Sequence, residues 1–344
     1  MPGRRAALLC ALLLAACSGD QRAPGPGRGP VLREGRFGSL RDFVLVDRDG
    51  ASAGAALFVD RFEATQADWL QFAASASGAD VGAGAVIVRG RSSLPVGGMD
   101  LRQARAFARW RCGRLPSEEE WQRVTVGGGR SPFPWGSKED ATRANTGDLG
   151  LGERLPVGTF ESGRRAGGDA PYDLVGNVRE WTESVPAEWC QRSGPDEAGS
   201  FVRSVRIAGR QPSLAVWADR FGALASGLVV GVGGGGVPRR CVGADFETPM
   251  RFVRQRQFDT QAAAERRVRT GLRVYASAAE LIRHLVGLPG PLDADEQRQV
   301  AAFVARGEHR ATLRAALALS PVEPEGLEPG SAGDVLLREL RRAL

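Results

Sequence analysis

Short apolar runs between glycine, serine and aspartate mark the first strands: Phe43 to Val46 and Ala56 to Phe62 carry β-branched and aromatic residues. Thr65 then offers a hydroxyl to an orphan amide and predicts a helix through about Ala74, with Trp69, Leu70 and Phe72/Ala73 near one face. Beyond a loop rich in glycine, alanine and serine, Ala85 to Arg89 reads as a strand. Asp100 predicts a second helix, Leu101 to Trp110, with Gln103 placed to close a capping box. Ser117 and Glu120 repeat that device, with Trp121 packing behind. From Gly127 to Tyr172 there is little periodicity, and loops that long in a compact domain need a metal, a disulfide or a functional reason. Further strands are predicted at Phe201 to Ile207, Leu228 to Val232 and Leu272 to Tyr275. From about Ser277 the spacing turns helical: Ala278 to Val286, Ala294 to Arg306, Arg310 to Leu319 and Asp334 to Ala343. These segments place a boundary near residue 277, and no internal repeat stands out.

Composition narrows the class. With 344 residues, 42% hydrophobic and 25% charged, the chain is neither disordered throughout nor short of a core, and its length suggests two domains. The longest apolar run, Ala6 to Ala16, falls short of the ~18–20 residues of a spanning helix. Net charge is +6, but Lys138 is the only lysine among 46 basic residues. The arginines alternate with acids along the whole chain and form no phosphate-binding patch, so no nucleic-acid partner is expected.

The N-terminus reads as an address. Arg4 and Arg5 precede the apolar Ala6 to Leu14, and Leu14-Ala15-Ala16-Cys17 follows, which makes residues 1–16 a secretory signal. The cysteine at that place resembles a bacterial lipoprotein lipobox, which implies lipid attachment at Cys17 and the membrane as a partner. Ser18 in the next position favours the outer membrane. Residues 17–36, rich in proline and glycine, read as a flexible tether. In an oxidising compartment Cys112, Cys190 and Cys241 remain, and three cysteines cannot all pair. Cys190 and Cys241 lie in irregular chain and are the expected disulfide, closing about 50 residues for roughly 4 kcal/mol on a chain-entropy model.

Several sequence words carry a resemblance. They are Glu63-Ala64-Thr65 ahead of Trp69 and Phe72, the run Trp110 to Trp121 (WRCGRLPSEEEW), and Phe133-Pro134-Trp135-Gly136 followed by Ala144-Asn145. Leu155 to Phe160 (LPVGTF), Tyr172 to Trp181 (YDLVGNVREW) and Gly271-Leu272-Arg273 complete the order. Residues 37–277 thus resemble the formylglycine-generating enzyme, or sulfatase-modifying factor, family; residues 278–344 are a helical C-terminal extension outside the resemblance. The resemblance implies an α+β fold, an irregular, loop-rich variant of the C-type lectin fold clamped by calcium. Most of the tryptophans are expected to lock core and loops, and Arg114 to tie loops through its planar fork. Cys112 stands where the family usually has glycine and is expected to be a small, buried, inert side chain.

Family enzymes oxidise a sulfatase cysteine with oxygen and copper, which a close pair of thiolates holds. Here Cys241 has no cysteine at that spacing, which leaves it a weak catalytic candidate, so copper is not an expected cofactor. Arg206 to Arg210 (RIAGR) is a degraded match to the family's Arg-Gly-Gly-Ser-Trp. The two histidines, His284 and His309, both in the extension, are expected to be solvated helix residues and are too few for iron. The resemblance implies calcium at two places, Asn145, Thr146 and Asp148, and then Gly176, Val178 and Glu180, where hard oxygen ligands come at short spacing. The glycines near Gly231 to Gly236 read as a flexible loop, not a nucleotide-binding turn. The expectation is an envelope lipoprotein with a non-catalytic binding or scaffolding domain, its partner a protein or glycan. The alternatives are an active oxidase modifying a sulfatase cysteine, and a calcium-dependent carbohydrate or peptide binder.

Overall fold

The computed structural model describes residues 37–342 apart from 38–39, 41, 47–55, 83, 86, 128–130, 166–168, 187–236, 254–257, 320–321 and 323–325. Cys17, Cys190, the expected strands at 201–207 and 228–232 and the glycine run therefore lie outside the described residues.

Two antiparallel strands, β1 (Phe43–Val46) and β2 (Leu57–Asp60), form where the sequence predicts them, and β7 (Tyr275–Ser277) pairs with β2 on its other side. The second sheet has the order β5 (Phe258–Gln261), β4 (Arg239–Val242), β3 (Arg179–Trp181), β6 (Thr270–Gly271), with only the β3–β6 pair parallel. Strand β7 starts at Tyr275, at the end of the Leu272 to Tyr275 segment expected to form it.

The helices follow their caps. In α1 (Gln66–Ala73) the Thr65 hydroxyl accepts the Asp68 amide while Asp68 accepts the Thr65 amide at 2.9 Å. A short α2 (Ala76–Asp80) follows. In α3 (Leu101–Trp110) Asp100 and Gln103 close the same box, and in α4 (Glu118–Val126) Ser117 and Glu120 do so. Trp69, Phe72 and Phe107 pack together with ring centroids 5.3–5.6 Å apart. Leu70, expected on that face, is 52% exposed instead. The described residues of Ala85 to Arg89 form no strand: the Gln66 side chain takes the Val88 amide at 2.5 Å, so no neighbouring strand supplies its acceptor.

The extension is helical: α5 (Ala278–Val286), α6 (Ala294–Ala305), α7 (Gly307–Leu319) and α8 (Ala332–Arg341). Its apolar faces share one core with β1 and β2, through Leu281, Leu285, Val300, Phe303 and Leu336. His309 is buried there, not solvated as expected. Its ring stands edge-on to Phe58 at 5.1 Å, and Nδ1 lies 3.1 Å from the Phe303 carbonyl. Arg306 donates to the Phe43 carbonyl at 3.2 Å and meets Asp169, which also receives Arg61 and Arg164. Arg114 ties loops as expected, reaching Glu120 and, at 2.8 Å, Glu280 at the head of α5. No helix among the described residues is long and apolar enough to cross a membrane.

Candidate functional site

The long loops converge on one buried polar centre. Gly176 and Asn177 take positive φ of 81° and 63°, and a Cβ on Gly176 would lie 2.3 Å from the Asn145 carbonyl oxygen. That turn points the Asn177 side chain toward Glu63, Asn145 and Leu155. Its Nδ2 donates to Glu63 Oε2 at 2.7 Å and to the Leu155 carbonyl at 3.2 Å. Its Oδ1 accepts from Asn145 Nδ2 at 3.0 Å and from the Leu155 amide at 2.9 Å. Glu63 Oε1 takes the Val178 amide at 3.1 Å. The Glu-Ala-Thr and Gly-Asn-Val words, more than a hundred residues apart, meet here.

Arg273, from the closing Gly-Leu-Arg word, occupies the same interior with no exposed surface. It donates to Glu180 Oε1 through Nε at 2.9 Å, and to the carbonyls of Asp60, Arg61, Tyr172 and Asp173. Burial opposes its charge most, but Glu180, Tyr275 and Glu63 together outweigh burial and raise the pKa above the ordinary guanidinium value. Burial pushes Glu63 well up, with Asp173 adding to it, and pushes Asp173 up to about 6 against the Gly158 amide and Arg273. Glu180 is also raised, by burial, with Arg273 opposing.

The structure brings the expected calcium residues together only in part. Asn145 packs against Gly176 and Asn177, and Thr146 follows it in buried chain. Asp148 is turned away, its carboxylate accepting the Met250 amide. Glu180 spends Oε1 on Arg273. Of the expected calcium residues, three carry a buried side-chain oxygen with no hydrogen-bond donor: Asn145 Oδ1, Thr146 Oγ1 and Glu180 Oε2. Hard oxygens without donors are what a calcium ion takes, so Asn145 and Thr146 fit such an ion through side-chain oxygens. Among the described residues no three His, Cys, Asp or Glu side chains form a metal-holding group.

Cys241, the weak catalytic candidate of the sequence, is sealed in the second sheet. It sits in β4 opposite Trp181, 1% exposed, with Sγ 3.9 Å from Gln261 Oε1. Burial, and then Asp259, push its thiol pKa up, so the thiolate that would attack or bind metal is suppressed. Among the described residues its thiol forms no disulfide, and its expected partner Cys190 lies outside them. Asp173, Asn177 and Arg273 were legible as parts of sequence words, yet nothing local in them signals that they and Glu63 form one centre. The usable signal was chemical: carboxylates and an arginine set beside the apolar Ala64, Leu174, Val175, Val178, Trp181 and Leu272.

Residues 48–278 match the sulfatase-modifying factor enzyme 1-like domain. "Inactive C-alpha-formylglycine-generating enzyme 2" of Bos taurus is 37% identical over 108 residues, 28% of this chain and 35% of that protein. Hercynine oxygenase of Mycolicibacterium smegmatis is 39% identical over 101 residues, 28% of this chain and 23% of the other. Formylglycine-generating enzyme of Mycobacterium tuberculosis is 36% identical over 105 residues, 27% of this chain and 34% of the other. The matches thus span 35% or less of these relatives' lengths. Among solved structures, PvdO from Pseudomonas aeruginosa superposes with a TM-score of 0.41 at 18% identity, covering 68% of this chain and 90% of that one. The match over 48–278 is the larger part of the sequence, and the chain belongs to the sulfatase-modifying factor enzyme 1-like family.

Proposed function

We propose that this chain is a non-catalytic binding or scaffolding module of the bacterial cell envelope, held at the outer membrane by lipid on Cys17. The observation that carries the non-catalytic reading is the burial of Cys241, 1% exposed, its thiol pKa raised, with no second cysteine near it in sequence. Soft copper needs accessible thiolates, and a sealed, protonated thiol supplies none. An iron site built on several histidines lacks ligands, because the two histidines of the sequence are His284 and the core residue His309. One relative carries the word inactive in its own name, which agrees with this reading.

The test is copper(I) titration of the full chain, with oxygen consumption followed over a sulfatase-type cysteine peptide. No stoichiometric copper and no oxygen uptake are expected. Tight copper bound through Cys241, with turnover, would establish the oxidase alternative. Cys17→Ser should move the chain out of the detergent phase, and unchanged partitioning would end the lipoprotein reading.

Calcium serves this module as a clamp on its loops, with Asn145 and Thr146 as the side-chain ligands; their donorless oxygens support the reading. A ligand that binds only the native state stabilises by roughly 2.7 kcal/mol at a hundredfold excess over its Kd. Chelator should therefore lower the melting temperature of the wild type and leave Asn145→Ala unaffected. A chelator-blind melt, with no metal by elemental analysis, would remove calcium from the account. Glycan and peptide binding, measured with and without chelator, decides the calcium-dependent binder alternative.

A further inference from the structure

Four arginines among the described residues are less than a tenth exposed: Arg111, Arg154, Arg239 and Arg273. Three of them face a carboxylate. Arg111 lies 3.0 Å from Asp68, Arg239 3.8 Å from Glu183 and Arg273 2.8 Å from Glu180. Arg154, 6% exposed, has no carboxylate of the described residues within ion-pair distance. Among the described residues its one hydrogen bond runs from Nη1 to the Pro95 carbonyl at 2.8 Å.

That bond occupies one corner of the guanidinium. The edge formed by Nε and Nη2, whose parallel N–H groups match the two oxygens of a carboxylate, has no acceptor in the described protein. A guanidinium set this deep, with most of its donors unused by the described protein, is costly to keep without a partner. The charge acting on Arg154 is Glu63, from beyond ion-pair distance, and burial outweighs it. Glu63 is committed elsewhere, its two oxygens taken by Asn177 Nδ2 and the Val178 amide. Glu153, next in the chain, is paired with Arg91 at 2.8 Å.

The residue is held in place from both sides. The Glu153 carbonyl accepts Asn145 Nδ2 at 3.0 Å, and the Leu155 amide donates to Asn177 Oδ1 at 2.9 Å. Beside the head group runs Gly97, where a Cβ would lie 3.4 Å from Arg154 Nη1 and 2.0 Å from the Val268 carbonyl oxygen. Val268 itself is 40% exposed, so the head group lies close to the surface and to an apolar residue that could flank a ligand.

We infer that Arg154 anchors a binding site for a carboxylate carried by a ligand, an acidic side chain or chain end of a peptide, beside Gly97 and Val268. The Nε–Nη2 edge supplies the recognition, and the Asn145–Asn177 centre fixes its direction.

Acetate, the smallest carboxylate, is titrated into the full chain at constant ionic strength against chloride. The Arg154 Nε–H signal, assigned by its loss in Arg154→Lys, should shift and saturate, and the melting temperature should rise with acetate. Arg154→Gln should lose that rise, and Arg154→Lys, which keeps the charge but not the fork, should bind about tenfold more weakly. An acetylated tripeptide amide carrying one glutamate, compared with its glutamine twin, separates a peptide source from a small anion. Binding of the glutamate peptide alone or of acetate alone upholds the carboxylate site and names its source. An Arg154 signal unmoved by acetate and by the glutamate peptide would overturn the inference, as would equal acetate stabilisation of wild type and Arg154→Gln. The signal is read on the wild type, so a variant that fails to fold leaves the decision intact.

Discussion

Glu180→Gln isolates the largest electrostatic element of the site. Glu180 and Arg273 are 1% and 0% exposed, so the substitution leaves a guanidinium inside the protein facing a neutral amide. Breaking a buried pair by removing one partner costs roughly 3–5 kcal/mol. Two features of this site favour the lower end: Asp173 and Glu63 remain nearby, and the four backbone carbonyls still accept from Arg273. A loss of about 3 kcal/mol should lower the melting temperature by roughly 6–10 °C in a unit of this size. Urea unfolding in chelator, with any metal removed, measures it. The exposed pair Arg298–Asp295, at 69% and 54% exposure, is the control, and Asp295→Asn should cost less than about 0.5 kcal/mol. Arg273→Met should cost more than Glu180→Gln, because it also strips a donor from each carbonyl. If Glu180→Gln behaved like the exposed control, the buried pair would not organise these loops and the reasoning would fail.

Asp173 gives a pH signature: an acid whose folded pKa is about 6, raised from 3.8, stabilises fully below the lower value and loses that contribution as pH climbs through the higher one. Metal-free stability should therefore fall between pH about 4 and about 6, and Asp173→Asn, suited to the φ of 52°, should flatten that fall; an unchanged profile would refute it. At the seam with the extension, Asp169→Asn removes the shared partner of Arg61, Arg164 and Arg306 and should cost about 1 kcal/mol in urea, with amide exchange quickened in α6 and α7. Unchanged exchange there would mean that the apolar core alone holds the extension.

How much was legible follows the range of the interactions. The caps at Thr65, Asp100, Ser117 and Ser277 depend on residues three apart, and sequence reading placed the helices that begin at the first three within a residue. The segment at Ala85 to Arg89 misled because its backbone partner is a side chain, that of Gln66, and composition does not reveal such a substitute. His309 was misread for a related reason: its helix pattern looks amphipathic, but Phe58, some 250 positions earlier, closes over it. The polar centre was the least legible part. Glu63, Glu180 and Arg273 stand in three separate sequence words, and nothing in those words shows that the fold brings them inside together. Burial is a property of the assembled loops, and no window of sequence contains it.

Position 112 shows how a family word can be kept while its chemistry is altered. Cys112 takes a φ of 66°, a left-handed conformation that costs a side chain about 1–2 kcal/mol and costs glycine nothing. Its side chain is 1% exposed in the main core, and burying so small an apolar group returns about 1 kcal/mol. The two terms nearly offset, which explains a cysteine where glycine is the usual residue and requires no reactivity of the thiol. Cys112→Gly should accordingly be close to neutral, while Cys112→Ala keeps the strain, loses the sulfur packing and should cost about 1 kcal/mol. The next residue allows no such exchange. A Cβ on Gly113 would lie 2.5 Å from the Tyr275 carbonyl oxygen, which accepts the Arg114 amide at 2.8 Å and joins this turn to β7. Gly113→Ala should therefore cost at least about 2 kcal/mol, since the clash is with backbone that has no room to yield. Denaturant midpoints of the three variants decide the matter. An alanine as stable as glycine at position 112 would show that the left-handed turn imposes no strain, and the account of this cysteine would fall.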